Sequence, residues 1–110
     1  MMREYEEIHS VEELEHWKQG TQTLIYVSRE NCSVCHALLP KVQELMEDYP
    51  SVRFGHLSAD DVEEAAGQLT IFSIPAILAF SEGRELYREA RFIRIDDLDH
   101  FLSKWTASSD

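Results

Sequence analysis

Cysteine is scarce in this 110-residue chain, which holds only Cys32 and Cys35, too few for the disulfide framework on which small secreted domains depend. Basic residues are few as well: ten lysines and arginines, scattered along the chain, face 21 acids and leave a formal net charge of -11. That balance opposes attraction to phosphate backbones and anionic lipid, so neither nucleic acid nor a membrane surface is an expected partner. The acidity is read as a solvated surface, with at most a bias towards basic proteins. No apolar run approaches the roughly twenty residues that cross a bilayer. The start, Met1-Met2-Arg3-Glu4-Tyr5, lacks the apolar stretch of a secretory signal, and a cytoplasmic protein is expected on those grounds. No low-complexity block, linker or internal repeat divides the chain, whose length suits one domain over residues 1–110.

Local pattern then supplies the elements. Ser10-Val11-Glu12-Glu13 is a capping-box pattern, and Val11, Leu14 and Trp17 follow at helical spacing before Gly20, which predicts a short first helix. A small edge strand is expected before it, over residues 4–8, and a buried strand after it in Leu24-Ile25-Tyr26-Val27. From Cys35 onward Leu38, Leu39, Val42, Leu45, Met46 and Tyr49 recur at three and four, predicting one amphipathic helix that Pro50 ends. Val52, Phe54 and Leu57 predict a third strand, and Asp60-Asp61 is expected to open a helix carrying Val62, Ala65, Ala66 and Leu69 inward. Ala76-Ile77-Leu78-Ala79-Phe80, the turn Ser81-Glu82-Gly83-Arg84 and a strand near Glu85 to Ala90 predict an antiparallel hairpin. Asp96 is expected to cap a last helix with Leu98, Phe101, Leu102 and Trp105 on its inner face, and Thr106 to Asp110 to fray. Strands alternating with helices and closing on a hairpin predict an α/β fold, a central mixed β-sheet flanked by helices on both faces.

A strand that feeds a helix leaves its connecting turn at the carboxyl edge of the sheet, where α/β proteins place their chemistry, and Cys32 sits at such a turn. The attacking species in disulfide exchange is a thiolate, which the unpaired N–H groups and macrodipole at a helix amino terminus stabilise. Three-residue separation brings the second sulfur back over the first within one helical turn, so Cys35 can attack a mixed disulfide formed at Cys32. Cys32 is therefore the expected nucleophile. Cys35, which begins the apolar stripe and should be the more buried, is the expected resolving thiol. This chemistry calls for no cofactor, and none is expected.

The sequence Cys32-Ser33-Val34-Cys35 opens a long helix that contains Pro40, Glu30 precedes it, Ile74-Pro75 lies ahead of the hairpin, and Phe80-Ser81-Glu82-Gly83 forms its turn. In order and spacing, from Leu24 to Trp105, these motifs resemble the thioredoxin family, in which an isoleucine and a cis-proline face the dithiol. The resemblance implies the thioredoxin fold and reduction of protein disulfides by dithiol exchange. It also implies disulfide-containing protein substrates, whose extended strand pairs with the backbone at Ile74 and Pro75, and a separate reductase as electron donor. A monomer is expected.

The departures from the family pattern carry information too. Asn31 stands where thioredoxins carry a tryptophan, Ser33-Val34 replaces Gly-Pro, and Arg91-Phe92-Ile93 lacks the glycine that follows the last strand. Tyr26 and His56 match the positions of a buried aspartate and a lysine that manage the resolving thiol's proton in the family. A phenol with an ordinary pKa near 10 is no base at neutral pH, whereas an imidazole near 6.5 is. Hence His56, or water, is expected to take the Cys35 proton, unless His56 only packs. The alternative functional reading is a redox-inactive adaptor, which these departures favour and which retention of both cysteines and of Ile74-Pro75 opposes. Cys32-Ser33-Val34-Cys35-His36 also spells a c-type haem attachment pattern, yet it opens an amphipathic helix with no export signal. Zinc would need a closely spaced histidine pair, whereas His9, His16, His56 and His100 are dispersed, so no metal is expected.

Overall fold

The apolar run around Tyr26 becomes the middle of a five-stranded sheet. In the computed structural model, which describes residues 3–107, it forms β2 (Thr23–Ser28), buried at all six positions. Beside it lies β3 (Arg53–Ser58), then β1 (Glu6–Ile8), all three parallel. On the other side β4 (Ala76–Ser81) runs antiparallel to β2, and β5 (Arg84–Ala90) antiparallel to β4. The order is β1-β3-β2-β4-β5.

Strand periodicity divides the core in two. Ile25 and Val27 of β2 face a cluster that includes Leu14 and Trp17 of α1 (Val11–Lys18) and Ala65 and Ala66 of α3 (Glu63–Gln68). Leu24 and Tyr26 face the opposite cluster, with Val42 and Met46 of α2 (Ser33–Met46) and Leu98 and Leu102 of α4 (Ile95–Ala107). Helices thus cover both faces of a mixed sheet, as expected. No helix among the described residues is long and apolar enough to cross a membrane.

Several element ends differ from the sequence reading, each for a local reason. Ser10 caps α1 by accepting the Glu13 N–H at 3.1 Å, but the returning Glu13 carboxylate takes the N–H of His9, at 2.7 Å, one residue upstream of the box's usual target. The long helix stops at Met46 instead of running to Tyr49 and Pro50. Arg3 donates to the carbonyl of Met46, the last helical residue, at 3.1 Å, and to those of Tyr49 at 2.9 Å and Val52 at 2.5 Å in the segment beyond it, bracing the turn that follows the helix. Asp60-Asp61 does not open α3, which starts at Glu63 after Val62; the Asp60 carboxylate is engaged elsewhere. Asp96 lies inside the first turn of α4 instead of capping it. That helix holds through Ala107, with Thr106 donating to the Leu102 carbonyl at 2.8 Å, and the rest of the expected frayed end, residues 108–110, lies outside the described residues. The hairpin turn has Glu82 at φ 50° and Gly83 at φ 86°. Two successive left-handed residues match the twist of the flanking strands, and glycine adopts that conformation freely.

Gly55 on β3 is required for a different reason. A Cβ there would stand 2.6 Å from Trp17 Cζ3 and 2.8 Å from Cη2, and the indole is itself buried in the core cluster with the Arg53 guanidinium 3.7 Å from its ring centroid. Gly55→Ala is expected to destabilise the fold by about 1–3 kcal/mol through overpacking. Urea unfolding checks this through a lowered midpoint at unchanged slope; a parental midpoint would mean that Trp17 re-packs freely.

Candidate active site at the Cys32–Cys35 pair

Where β2 ends, at Ser28, the chain turns through residues 29–32 into α2. Cys32 is the N-cap of α2 in extended conformation, with φ -106° and ψ 99°, and Cys35 lies in the first turn. Their sulfurs are bonded, with Cα atoms 5.2 Å apart. The Cys35 N–H donates to Cys32 Sγ at 3.1 Å, so a helix-terminal donor already points at the sulfur that would carry negative charge on reduction. Cys32 is partly exposed, whereas Cys35 is 1% exposed. Their order of accessibility is that expected from the stripe.

The turn is braced from two sides. Asp60, in the loop after β3, accepts the Glu30 N–H at 2.7 Å and the Arg29 guanidinium at 3.0 Å. The Glu30 N–H, and secondarily Arg29, hold the Asp60 carboxyl below the usual carboxylate range. His36 Nε2 lies 2.7 Å from the Glu30 carbonyl; a carbonyl only accepts, so this nitrogen carries its proton.

Beneath the pair, Tyr26 is fully buried and its hydroxyl donates to the Cys35 carbonyl at 2.7 Å. Burial pushes its phenol well above the ordinary value. The adjacent residue on β3 is His56, in register with Tyr26 on one side and with Glu7 of β1 on the other. Its ring stacks near Tyr26 with centroids 6.2 Å apart. Cys35 and His56 also line a common cavity of about 370 Å³.

The family model named Thioredoxin matches residues 8–104. This chain belongs to the thioredoxin family. It is 39% identical over 104 residues to the thioredoxin-like protein YdfQ of Bacillus subtilis, covering 94% of this chain and 93% of that one. It is 30% identical over 81 residues to a thioredoxin of Chlamydia trachomatis, covering 74% and 79% of the two chains. The Fasciola hepatica thioredoxin structure superposes with a TM-score of 0.81 at 22% identity, over 90% of this chain and 97% of that one, a likeness of fold. With a bonded Cys-x-x-Cys pair at the amino terminus of its long helix, this thioredoxin-family chain is a thiol–disulfide oxidoreductase. Neither the structure nor the family likeness favours the redox-inactive adaptor that the sequence departures pointed to.

Of the residues singled out in the sequence of this thioredoxin relative, Cys32, Cys35, Tyr26 and His56 gather at one end of the sheet. The Ile74–Pro75 bond is cis. Pairing of Val27 with Ala76 sets Pro75 at the same sheet edge as the end of β2, and its carbonyl accepts the Arg91 N–H at 2.8 Å. Three contributors escaped the sequence reading: Asp60, Glu7 and Ser28. Strand alternation puts Ser28 on the side of Tyr26, but Glu7 reaches His56 only because β1 lies beside β3, a pairing between segments distant in sequence.

Tyr26 gives this thioredoxin-family site an alkaline signature. The buried phenol stays neutral in the fold while an unfolded chain ionises near the ordinary value of about 10, so its contribution is intact below that pH and is lost as pH rises above it. Tyr49, raised to about 12 by burial first and then by its bond to Asp99, acts in the same direction. Tyr26→Phe is expected to cost about 0.5–1.5 kcal/mol at neutral pH through the lost hydrogen bond and to flatten the decline in stability above pH 10. Urea midpoints between neutral and strongly alkaline pH test both; an equally steep decline in the variant would show that Tyr26 is not its source.

Proposed function

We propose that this chain is a reductase of protein disulfides, working as a single-domain monomer over residues 1–110 in the cytoplasm. Cys32 attacks and Cys35 resolves. The observation that carries the reading is the asymmetry of the bonded pair: Cys32 is partly exposed at the helix terminus, with the Cys35 N–H on its sulfur, and Cys35 is 1% exposed. In the reduced form the Cys32 thiolate attacks a substrate disulfide, one substrate sulfur leaves as thiolate, and a mixed disulfide forms. The Cys35 thiolate then attacks Cys32 Sγ, the second substrate thiolate leaves, and the Cys32–Cys35 bond closes. Two electrons have passed to the substrate, and a separate dithiol reductase returns them.

A protein substrate suits the surface. Val34, within the motif, is 59% exposed, and Phe72 and Phe92 are 90% and 78% exposed, large apolar groups available to a polypeptide. The hydrogen bond from Arg91 N–H to the Pro75 carbonyl links the turn carrying Phe92 to Pro75. Ile74 precedes the first paired residue of β4, Ala76, which leaves its backbone beyond the ladder, where an extended substrate segment can add by strand pairing.

Three measurements test this. In the reduced protein Cys32 should alkylate faster than Cys35. Cys35→Ser should accumulate a mixed disulfide at Cys32 when given a disulfide protein, because the resolving attack is gone. The parent should reduce insulin with dithiothreitol as donor. Trapping by Cys32→Ser instead would reverse the roles, and no turnover on any disulfide protein would remove the reductase reading.

A further inference from the structure

His56 is held at both ring nitrogens. Nδ1 lies 2.7 Å from Glu7 Oε1, and Nε2 lies 2.6 Å from Ser28 Oγ. A carboxylate only accepts, so Nδ1 carries a proton; in the neutral imidazole Nε2 is then the acceptor, and the Ser28 hydroxyl donates to it. Ser28 is 6% exposed at the end of β2. Ser28, His56, Glu7 and Cys35 line the same cavity of about 370 Å³, roomy and polar enough for bridging water. Three adjacent parallel strands therefore supply a carboxylate, an imidazole and a hydroxyl in sequence, ending at the cavity that Cys35 also lines.

We propose that Glu7, His56 and Ser28 form a proton relay serving the Cys35 thiol, an inference that rests on the oxidoreductase reading above. The Cys35 S–H bond breaks and its proton passes through cavity water to Ser28 Oγ while the Ser28 proton passes to His56 Nε2. No electrons move in this step. It leaves a Cys35 thiolate and an imidazolium paired with the Glu7 carboxylate. The thiolate then attacks Cys32 Sγ in the mixed disulfide, and the relay runs backwards when a donor re-reduces the pair. Glu7 is a positioning residue: it fixes the tautomer and stabilises the imidazolium.

The other groups around His56 are poorly suited to the task. Tyr5, with ring centroids 5.2 Å apart, packs on it as a phenol, and Tyr26 spends its hydroxyl proton on the Cys35 carbonyl. Arg29 is a fixed cation engaged by Asp60. His9, Glu30 and Asp61 are exposed at the cavity rim. His36 is also exposed, and its Nε2 proton goes to the Glu30 carbonyl.

Mixing the reduced full chain with dipyridyl disulfide in a stopped-flow instrument separates the steps. The first thiopyridone released reports attack by Cys32 and the second reports resolution by Cys35. His56→Ala is expected to slow the second release about a hundredfold near neutral pH while the first stays within about twofold of the parent. Raising the pH or adding imidazole should restore it. Glu7→Gln should give a smaller loss with a displaced pH profile, and it decides the matter if His56→Ala does not fold. An unchanged second release and pH profile in these variants overturns the relay and leaves the oxidoreductase reading intact. Transfer of the pH dependence to His36→Asn overturns it in favour of the other imidazole. Absence of any first release from the parent overturns the oxidoreductase reading, and the relay with it.

Discussion

Everything at the site depends on burying β2 on both faces. With neighbours on each edge and helices above and below, Thr23–Ser28 has no freedom of register, because a slip by one residue would exchange the two core clusters. Fixed register fixes Tyr26, whose hydroxyl reaches the Cys35 carbonyl, and fixes the point at which the chain leaves the sheet towards Cys32. The bonded cysteines are thus located by packing energy and not by the motif itself. The short loop and the first turn of α2 merely transmit the position.

The choice of a phenol under the pair has an electrostatic consequence. A carboxylate on a fully buried strand would bear a large desolvation cost when ionised, whereas a neutral tyrosine satisfied by one carbonyl bears almost none. The proposed proton relay stands one strand away, at His56, which is only partly buried and has bonds to both ring nitrogens. No buried side-chain nitrogen or oxygen among the described residues is left without a partner. Polar groups share a cavity with Cys35 without a charge inside the apolar core.

How much of this was legible in the sequence follows the range of the interactions involved. The capping residue of α1, the apolar stripe of α2, the Glu82-Gly83 turn and the cysteine spacing are all written within a few residues, and each was readable. The ends of α2 and α3 were not. Arg3 binds the end of α2 from more than forty positions away in sequence, at |i−j| of 43 to Met46, and Asp60 is drawn from helix capping to a loop |i−j| of 30 away at Glu30. The same limit hid Glu7 and Ser28. Alternation along a strand gives the face a residue occupies but not its neighbour, and only the order β1-β3-β2 brings Glu7, His56 and Tyr26 into one row.

The motif's departure from the family pattern is offset through those long-range contacts. A Gly-Pro pair between the cysteines restrains the turn through the proline's fixed φ but removes one backbone donor at the helix terminus. Ser33-Val34 restores that donor and surrenders the restraint, while both residues fold into the first turn of α2. Here the restraint comes from outside the motif: Asp60 grips Glu30 and Arg29 from one side, and His36 grips the Glu30 carbonyl from the other. Because the Asp60 carboxyl is held below the usual range, its charge persists throughout the neutral and alkaline conditions in which thiolates form. These contacts brace the turn that leads into Cys32, which keeps its capping geometry with the Cys35 N–H on its sulfur.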